Sequence, residues 1–149
     1  MAYKIFLDAN ILLDLTLKRK EFENVKNIFN NIQKGIFKAY ISSSVLHIVS
    51  YILNKEYSVK VTKDILITIL QDVTLIDCPK EIAVNALISK INDIEDALQY
   101  YVALHHKMDY FISNDKQLKK ESLSTLPVLN SSDFVIEFMN KFYRNKVIP

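Results

Sequence analysis

Five short, mainly apolar runs separated by longer segments of helical spacing constrain this chain more than any other feature. They are Ile5-Phe6-Leu7, Phe37 to Ile41, Val73 to Ile76, Tyr110-Phe111-Ile112 and Val128-Leu129, none longer than five residues. Runs this short and this apolar suit strands buried on both faces, and strands alternating with helices imply a parallel sheet with helices on both sides. The expected class is therefore α/β, with a short central parallel sheet of four to five strands.

The intervening segments carry helix signals. Apolar residues recur at helical spacing from Ile11 to Leu17. A second amphipathic helix is expected from about Glu21 to Lys34, with Phe22, Val25, Ile28, Phe29 and Ile32 on one face. Gly35, the only glycine, stands where a helix C-terminus needs a left-handed residue. Ser42-Ser43-Ser44 can cap a helix reaching about Asn54, and Ser58 or Val59 opens another to about Gln71. Pro79 suits the first turn of a helix from about Lys80 to Ile91. Asn92 or Asp93 caps the next, to about Lys107, and a last helix is expected from about Ser132 to Tyr143.

With 149 residues, half of them hydrophobic and 24% charged, the chain is expected to be one globular domain spanning 1–149. Nineteen basic against seventeen acidic residues leave a charge of +2, too little to mark a nucleic-acid binder by net charge. Cys78 stands alone, which excludes an internal disulfide or a multi-cysteine metal site and fits a reducing cytoplasm. Met1 to Leu7 does not read as a signal peptide, and no stretch approaches the roughly 18 apolar residues that would span a membrane.

Acidic residues mark the candidate site. In open parallel sheets ligands bind outside the carboxyl ends of the strands. Asp8 follows the first strand there, and Asp115 follows Tyr110-Phe111-Ile112. Asp93, Glu95 and Asp96 open the helix that leads into that strand. Carboxylates sharing one cleft repel unless a cation compensates them, and oxygen ligands suit hard ions such as Mg2+ or Mn2+, which activate water and stabilise charge on a phosphodiester. Each residue also has a structural reading: Asp8 and Asp93 as N-caps, Glu95 and Asp96 as partners of the helix dipole, Asp115 as a turn residue.

The segment FLDANILLDL resembles the opening of PIN domains, where a strand ends in Asp-x-Asn and an apolar helix with another Asp follows. IEDALQYYVALHHKMDYFISNDKQL resembles the second half of the same family, and PVLNSSDF its end. The resemblance spans nearly the whole chain and implies a three-layer PIN-like fold. It implies that Asp8, Asp96 and Asp115 are metal ligands and catalytic residues, that Asn10 supports Asp8, and that Asp93 or Glu95 assist. It further implies a metal-dependent ribonuclease using Mg2+ or Mn2+, resembling the VapC-like toxins of toxin–antitoxin pairs, with RNA as substrate, a small antitoxin as partner and a homodimeric state. One position departs from the pattern Ser-x-x-x-x-Glu. In ISSSVLHIVSYIL, Ile48 stands where the acid is expected, and adjacent His47 points about 100 degrees away around a helix unless the alignment shifts by one residue.

Among basic residues, Lys18-Arg19-Lys20 and the group Lys116, Lys119 and Lys120 could pair with RNA phosphates, or simply keep the surface soluble. His105 and His106 complement a helix C-terminus, and Tyr100 and Tyr101 read as core or interface residues. Three readings compete: a metal-dependent ribonuclease, a PIN-like RNA- or protein-binding module that has lost catalysis, favoured by Ile48, and a phosphoacceptor or nucleotide-binding domain. The near absence of glycine opposes the third, because phosphate-cradling loops depend on it.

Overall fold

The computed structural model describes residues 2–146, with side chains through Phe138. Its centre is a five-stranded, all-parallel sheet in the order β3-β2-β1-β4-β5, formed by β1 (Tyr3–Leu7), β2 (Phe37–Ser42), β3 (Val73–Ile76), β4 (Tyr110–Ile112) and β5 (Val128–Leu129). All five expected strands are present. Ile5, Phe6 and Leu7 of the central strand are fully buried, as a strand covered on both faces must be.

Eight helices connect or follow these strands among the described residues: α1 (Ala9–Thr16), α2 (Phe22–Gln33), α3 (Ser43–Glu56), α4 (Val59–Asp72), α5 (Lys80–Ile88), α6 (Ile94–His105), α7 (Lys116–Glu121) and α8 (Ser131–Lys146). The steps β1 to β2 and β2 to β3 progress one way across the sheet, whereas β3 to β4 and β4 to β5 run the other way. Right-handed crossovers therefore place α1 to α4 on one face and α5 to α7 on the other. The reversal falls between β1 and β4, where an open sheet leaves a crevice beyond its carboxyl edge.

Local chemistry explains several of the helix ends. Gly35 takes φ +79° just beyond α2, so the expected left-handed residue is there. Ser58 caps α4 by accepting from the Val61 N–H at 3.2 Å, and Asp93 caps α6 by accepting from the Asp96 N–H at 3.0 Å. Ser42 stands at the N-cap of α3 without capping it; its hydroxyl pairs with that of Ser44 at 2.8 Å. Pro79 is the N-cap of α5 rather than a member of its first turn. That helix stops at Ile88, three residues short of expectation, because the Ser89 hydroxyl takes the Ala86 carbonyl at 2.7 Å and accepts the Ile91 N–H. The short helix α7 was not anticipated, since Lys-Gln-Leu-Lys-Lys-Glu holds one apolar residue and so no apolar period.

The core runs along both faces of β1 and β4. Phe6 stacks on Phe111 with ring centroids 5.1 Å apart, and Tyr100 of α6 packs on Phe111 from the same side at 5.6 Å. Tyr100 is fully buried, and its hydroxyl donates to the Leu126 carbonyl at 2.8 Å while accepting the Leu123 N–H at 2.8 Å. One phenol thus ties α6 to the loop that delivers β5. Tyr100→Phe should lower the unfolding free energy by about 1–3 kcal/mol in urea titrations, since a buried carbonyl and a part-buried N–H lose their partner. Gly35→Ala meets no atom within 4 Å, so its cost should be conformational alone, about 1 kcal/mol.

Candidate active site

The carboxyl ends of β1 and β4 carry Asp8 and the turn Ser113-Asn114-Asp115. Asp8 occupies the N-cap position of α1 but makes no side-chain capping bond there. Only 4% exposed, it accepts the Ser113 hydroxyl on Oδ2 at 2.8 Å, while its own N–H continues the sheet ladder to the Ile112 carbonyl at 3.1 Å. Burial raises its pKa above the ordinary carboxylate value; the Ser113 hydrogen bond and the nearby N–H groups of Ala9 and Asn10 oppose this, and the charge of Asp115 adds to it.

Asp96 lies in the first turn of α6 and is partly buried. Its pKa is pushed up to about 7, first by desolvation, then by the charges of Asp8, Asp93 and Asp115 and by a side-chain hydrogen bond with Asp115. The tertiary structure thus brings Asp8, Asp93, Asp96 and Asp115 into one electrostatic group. Glu95 is exposed and is not among the charges acting on Asp96. Asp115 is exposed and also caps α7, accepting from the Gln117 and Leu118 N–H groups at 2.8 and 3.0 Å through Oδ1. Its second oxygen is the one left to face the other acids.

An open cleft beside this group is lined by Asn10, Asp14, Arg19, Lys20, Glu21, Asn114 and Asp115. Asn10 therefore sits at the site, contributing its backbone N–H toward Asp8 and its exposed side chain to the cleft. Arg19 and Lys20 line the cleft, whereas Lys18 turns onto the Phe22 ring, 6.0 Å from its centroid, in a left-handed conformation. Lys116 is exposed on α7, and Lys119 pairs with Asp133 at 3.7 Å. His47 is exposed, and Ile48 packs against the core. His106 is the C-cap of α6, its ring within 3.0 Å of the Asp77 carbonyl.

Sequence reasoning passed over Ser113, Asn114 and Asp14 as separate contributors. Asp14 had a legible signal: a carboxylate inside the apolar stretch Ile11-Leu12-Leu13, four residues after Asn10 and so on the same helix face. Ser113 had none, because its role depends on β4 lying beside β1.

The donor set is all oxygen and carries uncompensated negative charge, which suits a hard divalent cation in chemistry. Among the described residues, no three Asp, Glu, His or Cys side chains close on a common point.

The PIN domain family matches residues 4–117 of this chain. The chain belongs to that family, whose members are generally nucleases that use divalent metal ions. No curated protein matches it in sequence. Among solved structures it is similar to VapBC2 from Rickettsia felis bound to a DNA fragment from its promoter (TM-score 0.69, 18% identity, 85% of this chain and 98% of that one). It is also similar to DNA-bound VapBC from Salmonella typhimurium (0.66, 14%, 87% and 98%). A third is Mycobacterium tuberculosis VapC20, a sarcin-ricin loop cleaving toxin (0.64, 13%, 81% and 97%). At these identities the likeness establishes the shared fold.

The raised pKa of Asp96 sets the sign of a stability prediction. Between the unfolded value of 3.8 and the folded value of about 7, the native state holds a proton that the unfolded chain has lost. Stability contributed by this group is therefore full below pH 3.8 and falls as pH rises to about 7. Asp96→Asn should consequently be more stable than the parent at pH 8 in EDTA, by about 2 kcal/mol after discounting for partial exposure, and nearly equal to it at pH 4. Thermal melts at the two pH values check this.

Proposed function

We propose that this chain is a metal-dependent endoribonuclease of PIN type and the toxin of a toxin–antitoxin pair. The observation that carries the reading is the group of Asp8, Asp96 and Asp115 at the sheet's reversal point, where burial first and the neighbouring acids second push the Asp96 pKa up to about 7. Burying carboxylates this close to one another is costly unless a cation or a proton relieves their charge. Asp8, Asp96 and the free oxygen of Asp115 would hold Mg2+ or Mn2+. Such an ion, when bound, supplies positive charge against phosphodiester oxygens and makes water nucleophilic at neutral pH.

The protein's own residues do the rest. The Ser113 hydroxyl orients Asp8, and together with the nearby N–H groups of Ala9 and Asn10 it favours the ionised form. Asn10 borders the cleft through which a strand would reach the acids. Arg19, Lys20 and Lys116 offer charge to RNA phosphates away from the point of cleavage. Likeness to VapBC assemblies and to a toxin that cleaves the sarcin-ricin loop supports an antitoxin partner and an RNA substrate for this chain too. In this reading the protein acts in the cytoplasm as a homodimer. No helix among the described residues is long and apolar enough to cross a membrane.

Ile48 favours a second reading, a PIN-like module that binds RNA or protein without cutting. An apolar side chain packed on the core cannot ligate, so the site rests on three carboxylates. The two readings separate on incubating the purified protein with a mixed tRNA and mRNA pool in Mg2+, Mn2+ or EDTA. Cleavage that needs metal and drops at least about 100-fold in both Asp8→Asn and Asp96→Asn supports the nuclease. Intact RNA with well-folded, antitoxin-free protein would leave the binding module.

A further inference from the structure

Beside the acidic group lies a second polar network that the proposed reaction does not use. Asp14 of α1 is 8% exposed, a buried carboxylate that faces the Arg19 charge. Its Oδ2 accepts the Asn114 side-chain amide at 3.1 Å. The other end of that amide, Oδ1, accepts the Ser131 N–H at 3.1 Å, so both halves of the Asn114 side chain are engaged and its orientation is fixed by chemistry. Ser131 is fully buried, and its hydroxyl donates to Glu21 Oε2 at 3.1 Å; Asn24 of α2 donates to the same oxygen at 2.9 Å. A continuous hydrogen-bonded path thus joins α1, the turn after β4, the start of α8 and the start of α2.

The turn it grips is the one that carries the site. Ser113 binds Asp8, Asn114 binds Asp14, and Asp115 caps α7, three successive residues with three separate anchors. Without the Asn114 side chain's bonds to Asp14 and Ser131, the exposed Asp115 would be placed by its cap on α7, by its N–H donation to the Ser113 hydroxyl at 3.1 Å and by the Ser113 N–H on the Leu129 carbonyl at 3.0 Å.

We propose that Asp14 and Asn114 are a positioning pair that sets where the Asp115 carboxylate stands relative to Asp8 and Asp96, with Glu21 and Ser131 locking the pair to α2 and α8. This rests on the nuclease reading, because the geometry matters only if those three carboxylates share a cation. The pair borders the cleft but is not among the three carboxylates that would hold the cation; it acts on them through the turn. Asp14 needs only an acceptor for this task, not a charge, so the amide of an Asn at position 14 can still receive the Asn114 N–H.

The test is Mn2+ affinity measured calorimetrically on the full chain without RNA, for Asn114→Ala, Asp14→Leu and Asp14→Asn. Loss of a partner that orients a ligand typically weakens metal binding about 10–100-fold, and that loss is expected for Asn114→Ala and Asp14→Leu. Asp14→Asn should recover most of the affinity lost in Asp14→Leu. On an Asp115→Asn background, Asn114→Ala should add little further loss, because the two changes act through one carboxylate. Undiminished affinity in Asn114→Ala, or a full further loss on the Asp115→Asn background, would overturn the pair alone. A parent chain with neither Mn2+ affinity nor metal-dependent cleavage would overturn the pair together with the nuclease reading.

Discussion

A carboxylate buried at the end of the central strand is the constraint on which the site depends. Asp8 sits beyond three fully buried residues, where ionisation is costly, and the compensation comes from the neighbouring strand as the Ser113 hydroxyl. That bond exists only because β4 lies beside β1 in register, with Leu7 opposite Ile112. Sheet pairing and site chemistry are therefore one arrangement: slipping the β4 register by a single residue would move Ser113 to the other face and leave Asp8 without its donor.

Helix ends reinforce it. Asp8, Asp93 and Asp115 are the N-cap residues of α1, α6 and α7, so the positive ends of three helices lie among the acids. This partly offsets a repulsion that would otherwise spread the carboxylates apart. It also dissolves the contrast between a capping role and a chemical one. Asp93 and Asp115 both cap, and both still raise the pKa of Asp96. Asp8 is the exception, a residue at a cap position whose side chain is committed elsewhere.

Much of this was legible from residues alone. The five strands, the left-handed Gly35 and the Asp93 cap followed from apolar runs and turn chemistry, all of them local signals. Asp8 and Asp115 were placed because a strand end is visible in sequence. Asp96 was singled out from Asp93 and Glu95 by family resemblance, since helical periodicity does not say which acid of a first turn faces inward. Asn114 and Ser131 gave no signal, because an Asn in a turn and a Ser at a helix start are expected for local reasons, and their partners lie 100 and 110 residues away.

The sequence by itself thus determined the α/β class, the order of the elements and the positions at which acids meet strand ends, because each depends on side-chain pattern within a few residues. Only the tertiary structure decided which acids feel one another, that Asp115 spends one oxygen on α7, and that Asp14 is tied to the turn after β4. Those outcomes depend on strand order and on burial. Both arise when segments distant in the chain are pressed together, and desolvation then turns ordinary surface carboxylates into a coupled group.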